Sequence, residues 1–246
     1  MHHNAAMPEH CYFCSEIRAG LMELPPEEAH HAASVMRVRV GDRILLFDGR
    51  GASAPATVRE VRRRLVSVET DAAGESRPPA TPRLVLHVSM PKAARQHLLI
   101  EKCTELGVSA IQPLLTDRGV AKPSAGADHR WRRFAIEAAK QARQWWLPEF
   151  LAAQSLAESL DVARAGGLCL IASLASAARP LGDLLLDGGE PAQEVHVWIG
   201  PEGGFTPHES AMAAAAGLIE VSLGPSILRV ETAAIAVCAL VRLLRA

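Results

Sequence analysis

The sequence predicts an α/β protein in which a mainly parallel sheet, covered by helices, follows a small β-rich domain. Three observations carry this expectation. Apolar strand-like runs alternate with helical ones from Leu84 to the C-terminus, and short β-rich runs with turn signals occupy the N-terminal part. Between them, Gly74-Glu-Ser-Arg-Pro-Pro-Ala-Thr-Pro82 interrupts every periodic pattern and reads as a linker. A boundary near residue 80 divides the chain into residues 1–80 and 81–246.

Before the linker, Arg43 to Phe47, Ala56 to Val61 and Leu65 to Thr70 are strand-like, with turns at Gly41-Asp42 and Asp48-Gly49-Arg50-Gly51. This pattern suggests a small β-barrel. After it, strands are expected at Leu84 to Ser89, Ile111 to Leu115, Leu168 to Ser173 and Val195 to Ile199. Helices are expected at Ala94 to Leu106, Arg130 to Gln144, Pro207 to Gly217 and Thr232 to Arg245. Strand-helix alternation of this kind gives a parallel sheet buried on both faces, because each crossover returns the chain over the sheet.

At 246 residues with 49% hydrophobic content, the chain has material for a large core. Its longest apolar stretch, Ala233 to Val241, is far short of the ~20 residues that cross a bilayer. No membrane partner is expected, Met1 to Ala6 lacks the pattern of a secretory signal, and a cytoplasmic location follows. Five scattered cysteines (Cys11, Cys14, Cys103, Cys169, Cys238) are expected to be reduced thiols. The Cys11-Cys14 spacing lacks the second pair that zinc wants, and His30-His31 lacks a partner at ligand spacing, so no metal site is expected. A net charge of −1 makes no global case for nucleic acid, but the charge is uneven. From Arg130 to Trp146 five basic residues face one acid, whereas between Leu151 and Glu220 nine acids face Arg164 and Arg179. A protein with one RNA-facing surface has this asymmetry.

Two segments carry chemistry. Gly200-Pro201-Glu202-Gly203-Gly204-Phe205 follows the apolar run Val195 to Ile199 and leads into Thr206-Pro207-His208-Glu209, which has N-cap and first-turn character. Glycines at a strand's C-terminal end let backbone groups approach a ligand closely. The segment lacks the Lys-Ser/Thr of a P-loop and the glycine spacing of a dinucleotide fingerprint, so phosphate binding is disfavoured. The second segment, Leu223 to Ala234, again couples a Gly-Pro turn to a helix start and carries Arg229 and Glu231. The two loops can form opposite walls of one pocket at the sheet edge.

Gly-Pro-Glu-Gly-Gly-Phe, followed by Leu-Gly-x-x-Ile-Leu-Arg-x-Glu-Thr-Ala, resembles the paired signature of the RsmE family of uridine N3-methyltransferases, within the SPOUT superfamily. Glu101-Lys102-Cys103-Thr104-Glu105-Leu106-Gly107-Val108, Lys92, and His31 to Gly49 with its Val35-Met-Arg37 and Gly41-Asp42 core extend the resemblance over nearly the whole chain. Two places depart from the family's pattern. Ile171 to Ala175 lacks the acidic residue often found after that strand, and Lys140-Gln141-Ala142-Arg143-Gln144 replaces a Glu-Gln-x-x-Arg.

The resemblance implies a PUA-like N-terminal barrel for RNA and a SPOUT-type α/β domain with a C-terminal trefoil knot, a feature that general chain-topology rules argue against. It implies an S-adenosylmethionine cofactor, a homodimer, and small-subunit ribosomal RNA, within the 30S subunit, as substrate. The cofactor pocket would use Leu170, Ser173, Gly200, Glu202, Gly203, Leu223, Gly224, Ile227, Leu228 and Arg229. For chemistry, Arg229 would stabilise charge on the uracil carbonyls, and Glu202 or Glu231 would act as base or orienting group. RNA contacts are expected from Arg37, Arg39, Lys92, Arg118, Arg132, Arg133 and Arg143. Trp131, Trp145 and Trp146 suit either base stacking or the core, and the final helix suits either a dimer interface or the core of a monomer. A ribose 2′-O-methyltransferase and a non-catalytic rRNA-binding assembly factor are the rival readings.

Overall fold

The computed structural model describes residues 10–70, 74–119, 126–161, 167–187 and 192–244. The readings of Met1 to Ala6 and of Arg245 lie outside the described residues. The chain forms two units, Met1–Pro79 with Ala139–Leu147, and Ala80–Ala138 with Pro148–Ala246.

The first unit is built on a six-stranded sheet. β1 (His10–Phe13), β2 (Gly20–Glu23), β3 (Arg43–Phe47), β4 (Ala52–Arg62) and β5 (Leu65–Thr70) run in the order β1-β3-β4-β5-β2, and β6 (Glu75–Ser76) pairs with β4. β1 lies parallel to β3 and the other pairs are antiparallel. Period-2 alternation places Ile44, Leu46, Ala56, Val58, Val66 and Val68 in one core with Tyr12. Helix α1 (Pro26–His30) continues as a π-helical turn, His31–Met36, which ends at Arg37 with φ +54°.

Phe47 serves a second apolar cluster with Ala139 and Trp145, flanked by Leu45, Phe13 and Leu147. β3 therefore buries side chains on both faces, which is why 139–147 clusters with this unit. The turn after β3 depends on glycine here. A Cβ on Gly51, whose φ is +99°, would fall 2.7 Å from Trp146 Nε1, and one on Gly49 2.7 Å from Leu147. Trp146 donates its indole N–H to the Arg77 carbonyl at 2.8 Å, and the Arg77 guanidinium lies 4.7 Å over the Trp145 ring. Trp145 and Trp146 are thus structural residues of this unit.

Lys140 is 8% exposed, and its Nζ lies 3.1 Å and 3.3 Å from the two carboxylate oxygens of the buried Glu28. It also lies 3.1 Å from His31 Nδ1 and 5.8 Å from the Tyr12 ring centroid. Lys140 belongs to the basic run Arg130 to Trp146 that the sequence links to an RNA-facing surface, and the structure removes it from that surface because both members of the pair are withdrawn from water.

Among its described residues the second unit holds eight strands, all parallel. They are β7 (Arg83–Val88), β8 (Ala110–Leu115), β9 (Glu149–Phe150), β10 (Gln154–Ser155), β11 (Leu168–Ala172), β12 (Arg179–Pro180), β13 (Glu194–Ile199) and β14 (Ile219–Ser222). Their order is β10-β8-β7-β13-β11-β14-β12, with β9 beside β8. Helices α2 (Ala93–Glu105), α3 (Ala127–Ala142), α4 (Leu156–Ser159), α5 (Leu181–Leu186), α6 (Pro207–Ala215) and α7 (Val230–Leu244) follow or separate the strands. Leu114, Ile171 and Trp198 pack with residues of α4 and α6, while α7 packs on α2, α5, β7 and β13.

Several buried polar groups in this unit are held by specific partners. Trp198 donates to Ser159 Oγ at 2.8 Å, and Trp131, 2% exposed, donates to Gln96 Oε1 at 2.9 Å. His87 stacks on Trp198 with ring centroids 4.1 Å apart and meets His196 at 3.1 Å. The last turn of α7 is fastened by Arg242, which donates to the Pro82 carbonyl at 2.6 Å and to the Gly107 carbonyl at 2.5 Å.

Candidate active site

Three loops at the C-terminal ends of adjacent parallel strands build the site, the usual place for ligands in an open α/β sheet. β11 runs into Ser173 and Leu174, β13 into Gly200 to Phe205, and β14 into Leu223 to Leu228. Ser173 N–H donates to the Val221 carbonyl at 2.9 Å, tying the first loop to β14. In the second, Gly204 (φ +67°) donates to the Pro201 carbonyl at 2.8 Å, closing a tight turn. In the third, Gly224 adopts φ +117°, a conformation other residues resist.

The β13 loop is fixed from two sides. Thr206 caps α6 in a capping box with Glu209, and the buried Glu209 carboxylate accepts from Thr206 N–H at 2.7 Å and from Asp117 N–H at 2.9 Å. Arg118 donates to the Gly203 carbonyl at 2.7 Å.

The loops enclose a cavity of about 240 Å³, whose remaining walls come from Ser210 and Ala214 of α6 and from Val230 and Ala233 of α7. Apolar residues such as Phe205, Leu223, Ile227 and Leu228 line it together with Gly200, Gly204 and Gly224. Glu202 and Glu220 line it, and among the described residues no lysine or arginine does. A cavity with this lining suits a flat heterocycle joined to a cationic group and offers no cation to a phosphate.

A second recess, of about 310 Å³, shares Pro201 and Glu202 with the first. Its other walls are Ser89, Met90, Pro91, Lys92, Arg95 and Arg229. Arg95 donates to Glu202 Oε1 at 2.9 Å and lies 3.8 Å from Glu231 Oε1. Glu231 is 3% exposed, and its Oε2 has no hydrogen-bond partner among the described residues.

Of the residues expected at the cofactor, Ser173, Gly200, Glu202, Leu223, Gly224, Ile227 and Leu228 line the first cavity. Leu170 does not, because its side chain is fully buried in mid-strand. Gly203 does not line it either. A Cβ there would point toward Arg118 at 3.5 Å, and Gly204 takes its place on the wall. Arg229 lines the second recess rather than the first, and Glu231 lies beside Arg95.

Among the expected RNA contacts, Lys92 lines the second recess and Arg118 acts as the carbonyl clamp. Arg132 and Arg133 are exposed on α3. In the first unit Arg37 and Arg39 are exposed, and Arg143 is half-buried with φ +52°. Trp131 is buried and bonded, so it is not available to stack on RNA bases. Sequence reasoning missed Arg95. Its signal was the Lys92-x-x-Arg95 spacing, which puts both cations at one helix start. Among the described residues no cluster of metal-ligating side chains occurs, and no helix is long and apolar enough to cross a membrane.

These loops and this sheet order define a class. Residues 78–242 match the RNA methyltransferase domain and residues 24–71 the RNA methyltransferase PUA domain, and the chain belongs to that RNA methyltransferase family. Within it, the chain is 33% identical over 219 residues to ribosomal RNA small subunit methyltransferase E of Synechocystis sp., covering 89% of this chain and 71% of that protein. The namesake from Mycobacterium tuberculosis is 32% identical, over 85% of this chain and 80% of its own. Among solved structures, ribosomal RNA small subunit methyltransferase E from Neisseria gonorrhoeae, bound to S-adenosyl methionine, superposes with a TM-score of 0.84 at 30% identity, covering 97% of this chain and 98% of that one.

Proposed function

We propose that the protein transfers a methyl group from S-adenosylmethionine to N3 of a uridine in small-subunit ribosomal RNA. The observation that carries this reading is the charge of the first cavity, which among the described residues is lined by two carboxylates and no cation. That lining fits a sulfonium donor and would repel a phosphorylated cofactor. When bound, S-adenosylmethionine supplies an electrophilic methyl group. Leu223, Ile227 and Leu228 would hold the adenine, the glycine-bearing turns would offer backbone groups, and Glu202 would sit toward the cationic end.

Most of the acceleration would come from alignment. Uracil N3 is weakly acidic, so the site must favour loss of its proton. Arg229 lines the recess beside Glu202 and would stabilise charge on the base's carbonyl oxygens. Glu202 and Glu231 are the carboxylates for a base or orienting role. Arg132 and Arg133, exposed on α3, and Arg37 and Arg39, exposed in the first unit, offer guanidiniums to RNA phosphates. The family likeness supports a barrel-like PUA unit, a trefoil knot in the C-terminal domain, a homodimer, a 30S-associated substrate and a cytoplasmic location.

The test is methyl transfer by wild type and Arg229→Ala at saturating cofactor, with modified nucleosides identified by mass spectrometry. Loss of about 100-fold or more in turnover with unchanged cofactor affinity is expected. Intact turnover would remove Arg229 from its role, and 2′-O-methylated product would replace the base by the ribose as acceptor.

A further inference from the structure

The two recesses share a wall but differ in charge. Among the described residues, the cavity bounded by the three loops is lined by Glu202 and Glu220 and no cation, whereas the neighbouring recess is lined by Lys92, Arg95 and Arg229 with one carboxylate, Glu202, and has Glu231 behind Arg95. Lys92 and Arg229 have no side-chain hydrogen bond or ion pair among the described residues, which leaves their charge available to a ligand. Met90, Pro91 and Pro201 supply apolar surface in the same recess, and Ser89 adds a hydroxyl. Flat apolar surface with convergent donors is what a single extruded base requires.

We propose that the recess lined by Lys92, Arg95 and Arg229 is the acceptor pocket, that it takes the target uracil as its imide anion, and that Arg95 is the residue that positions Glu202 on the dividing wall. This rests on the methyltransferase reading above and adds to it where the base goes and in what charge state. Neutral uracil dominates in water near pH 7, and the cations of the recess favour the species that has given its N3 proton to water. The bond from N3 to the methyl carbon then forms as the carbon–sulfur bond breaks, with that bond's electron pair staying on sulfur. A cation and an anion are thereby both neutralised. Each compartment holds its reactant more strongly than its product, which favours release after transfer.

Arg95 completes the wall. Its 2.9 Å bond to Glu202 engages one carboxylate oxygen and offsets its charge, while the buried Glu231, 3.8 Å from the same nitrogen, offers a second acceptor that restricts the guanidinium. Without Arg95, Glu202 would face the acceptor with its full charge. A ribose hydroxyl, far less acidic than the imide, would gain little from such a recess.

The experiment uses the full chain and an rRNA fragment that the wild type methylates, prepared with uridine, 5-fluorouridine or an abasic residue at the target. Wild type should bind the uridine fragment about tenfold more tightly than the abasic one, and Lys92→Met should abolish that difference while S-adenosylmethionine affinity stays within about threefold. Methyl transfer by Lys92→Met should fall about 100-fold, with at least tenfold regained on the more acidic 5-fluorouridine and most activity kept in Lys92→Arg. Arg95→Gln should lower turnover more than it weakens RNA binding. The proposal is overturned if Lys92→Met still distinguishes uridine from abasic RNA, if its cofactor affinity falls in step with activity, or if 5-fluorouridine restores nothing. A wild type that binds no S-adenosylmethionine would instead sink the methyltransferase reading itself, so the two failures are distinguishable.

Discussion

Removing Lys140 should destabilise the first unit more than any exposed cation would. Its ammonium sits on both oxygens of Glu28 at 3.1 Å and 3.3 Å, with the Tyr12 ring 5.8 Å away, and both charged side chains are more than nine-tenths buried. Breaking such a pair from one side leaves a buried charge poorly compensated and costs about 3–5 kcal/mol, with the lost cation–π contact inside that figure. At a urea m-value of about 1.5 kcal/mol/M, the midpoint of this unit's transition should fall by about 2–3 M in Lys140→Met. Replacing both partners, as Lys140→Met with Glu28→Gln, removes both charges together and should recover most of the loss. Tryptophan fluorescence follows the transition, because Trp145 and Trp146 lie in the same unit. A single substitution costing under about 1 kcal/mol, or a double variant no more stable than the single, would refute the claim that this pair is energetically coupled.

Three further outcomes are expected. Glu209→Ala loses two charge-assisted bonds to backbone N–H groups and should cost about 2–4 kcal/mol in the second unit, measured by urea unfolding, with weaker S-adenosylmethionine binding in calorimetry. Burial, reinforced by the neighbouring His196, pushes His87 down to about 3. The unfolded chain therefore takes up this proton first, and stability should decline as pH falls from about 6.5 toward 3, by up to about 1.4 kcal/mol per pH unit. His87→Phe should flatten that part of the profile, and an unchanged slope in urea titrations at successive pH values would exclude His87 as its source. Gly224→Ala imposes a side chain at φ +117° and should lower S-adenosylmethionine affinity about 5–30-fold through 1–2 kcal/mol of loop strain, whereas native affinity would show that the loop tolerates it.

Much of the framework was legible because long elements carry their own period. Arg43–Phe47 and Leu65–Thr70 coincide with their expected limits, α2 is displaced by one residue at each end, and α6 starts at its expected residue and ends two residues early. β9, β10 and β12 were not anticipated, since two-residue strands are too short to show alternation. Cys11-Tyr-Phe-Cys14 drew attention as a ligand spacing, yet His10–Phe13 is simply a strand whose Tyr12 fills the core. The two glycine-bearing turns were visible as motifs, and they do line one cavity.

What sequence patterns could not convey was the sorting of charge. Lys140, Arg143 and Arg130 look alike in a basic run. Only tertiary pairing shows that Lys140 is matched with Glu28, 112 residues away, while Arg130 reaches toward Gln96. Arg95 likewise acquires meaning only when α2 meets the β13 loop and the start of α7.

The fastening of Arg242 has a mechanical corollary. α7 begins at the ligand end of the sheet with Glu231 and, ~17 Å further along, is moored to the carbonyls of Pro82 and Gly107 at the opposite pole. A rod held at its far end transmits displacement along its axis. Altering that mooring should therefore shift the height of the Glu231 turn beside Arg95, and the alignment of donor and acceptor becomes a property of the whole length of the helix.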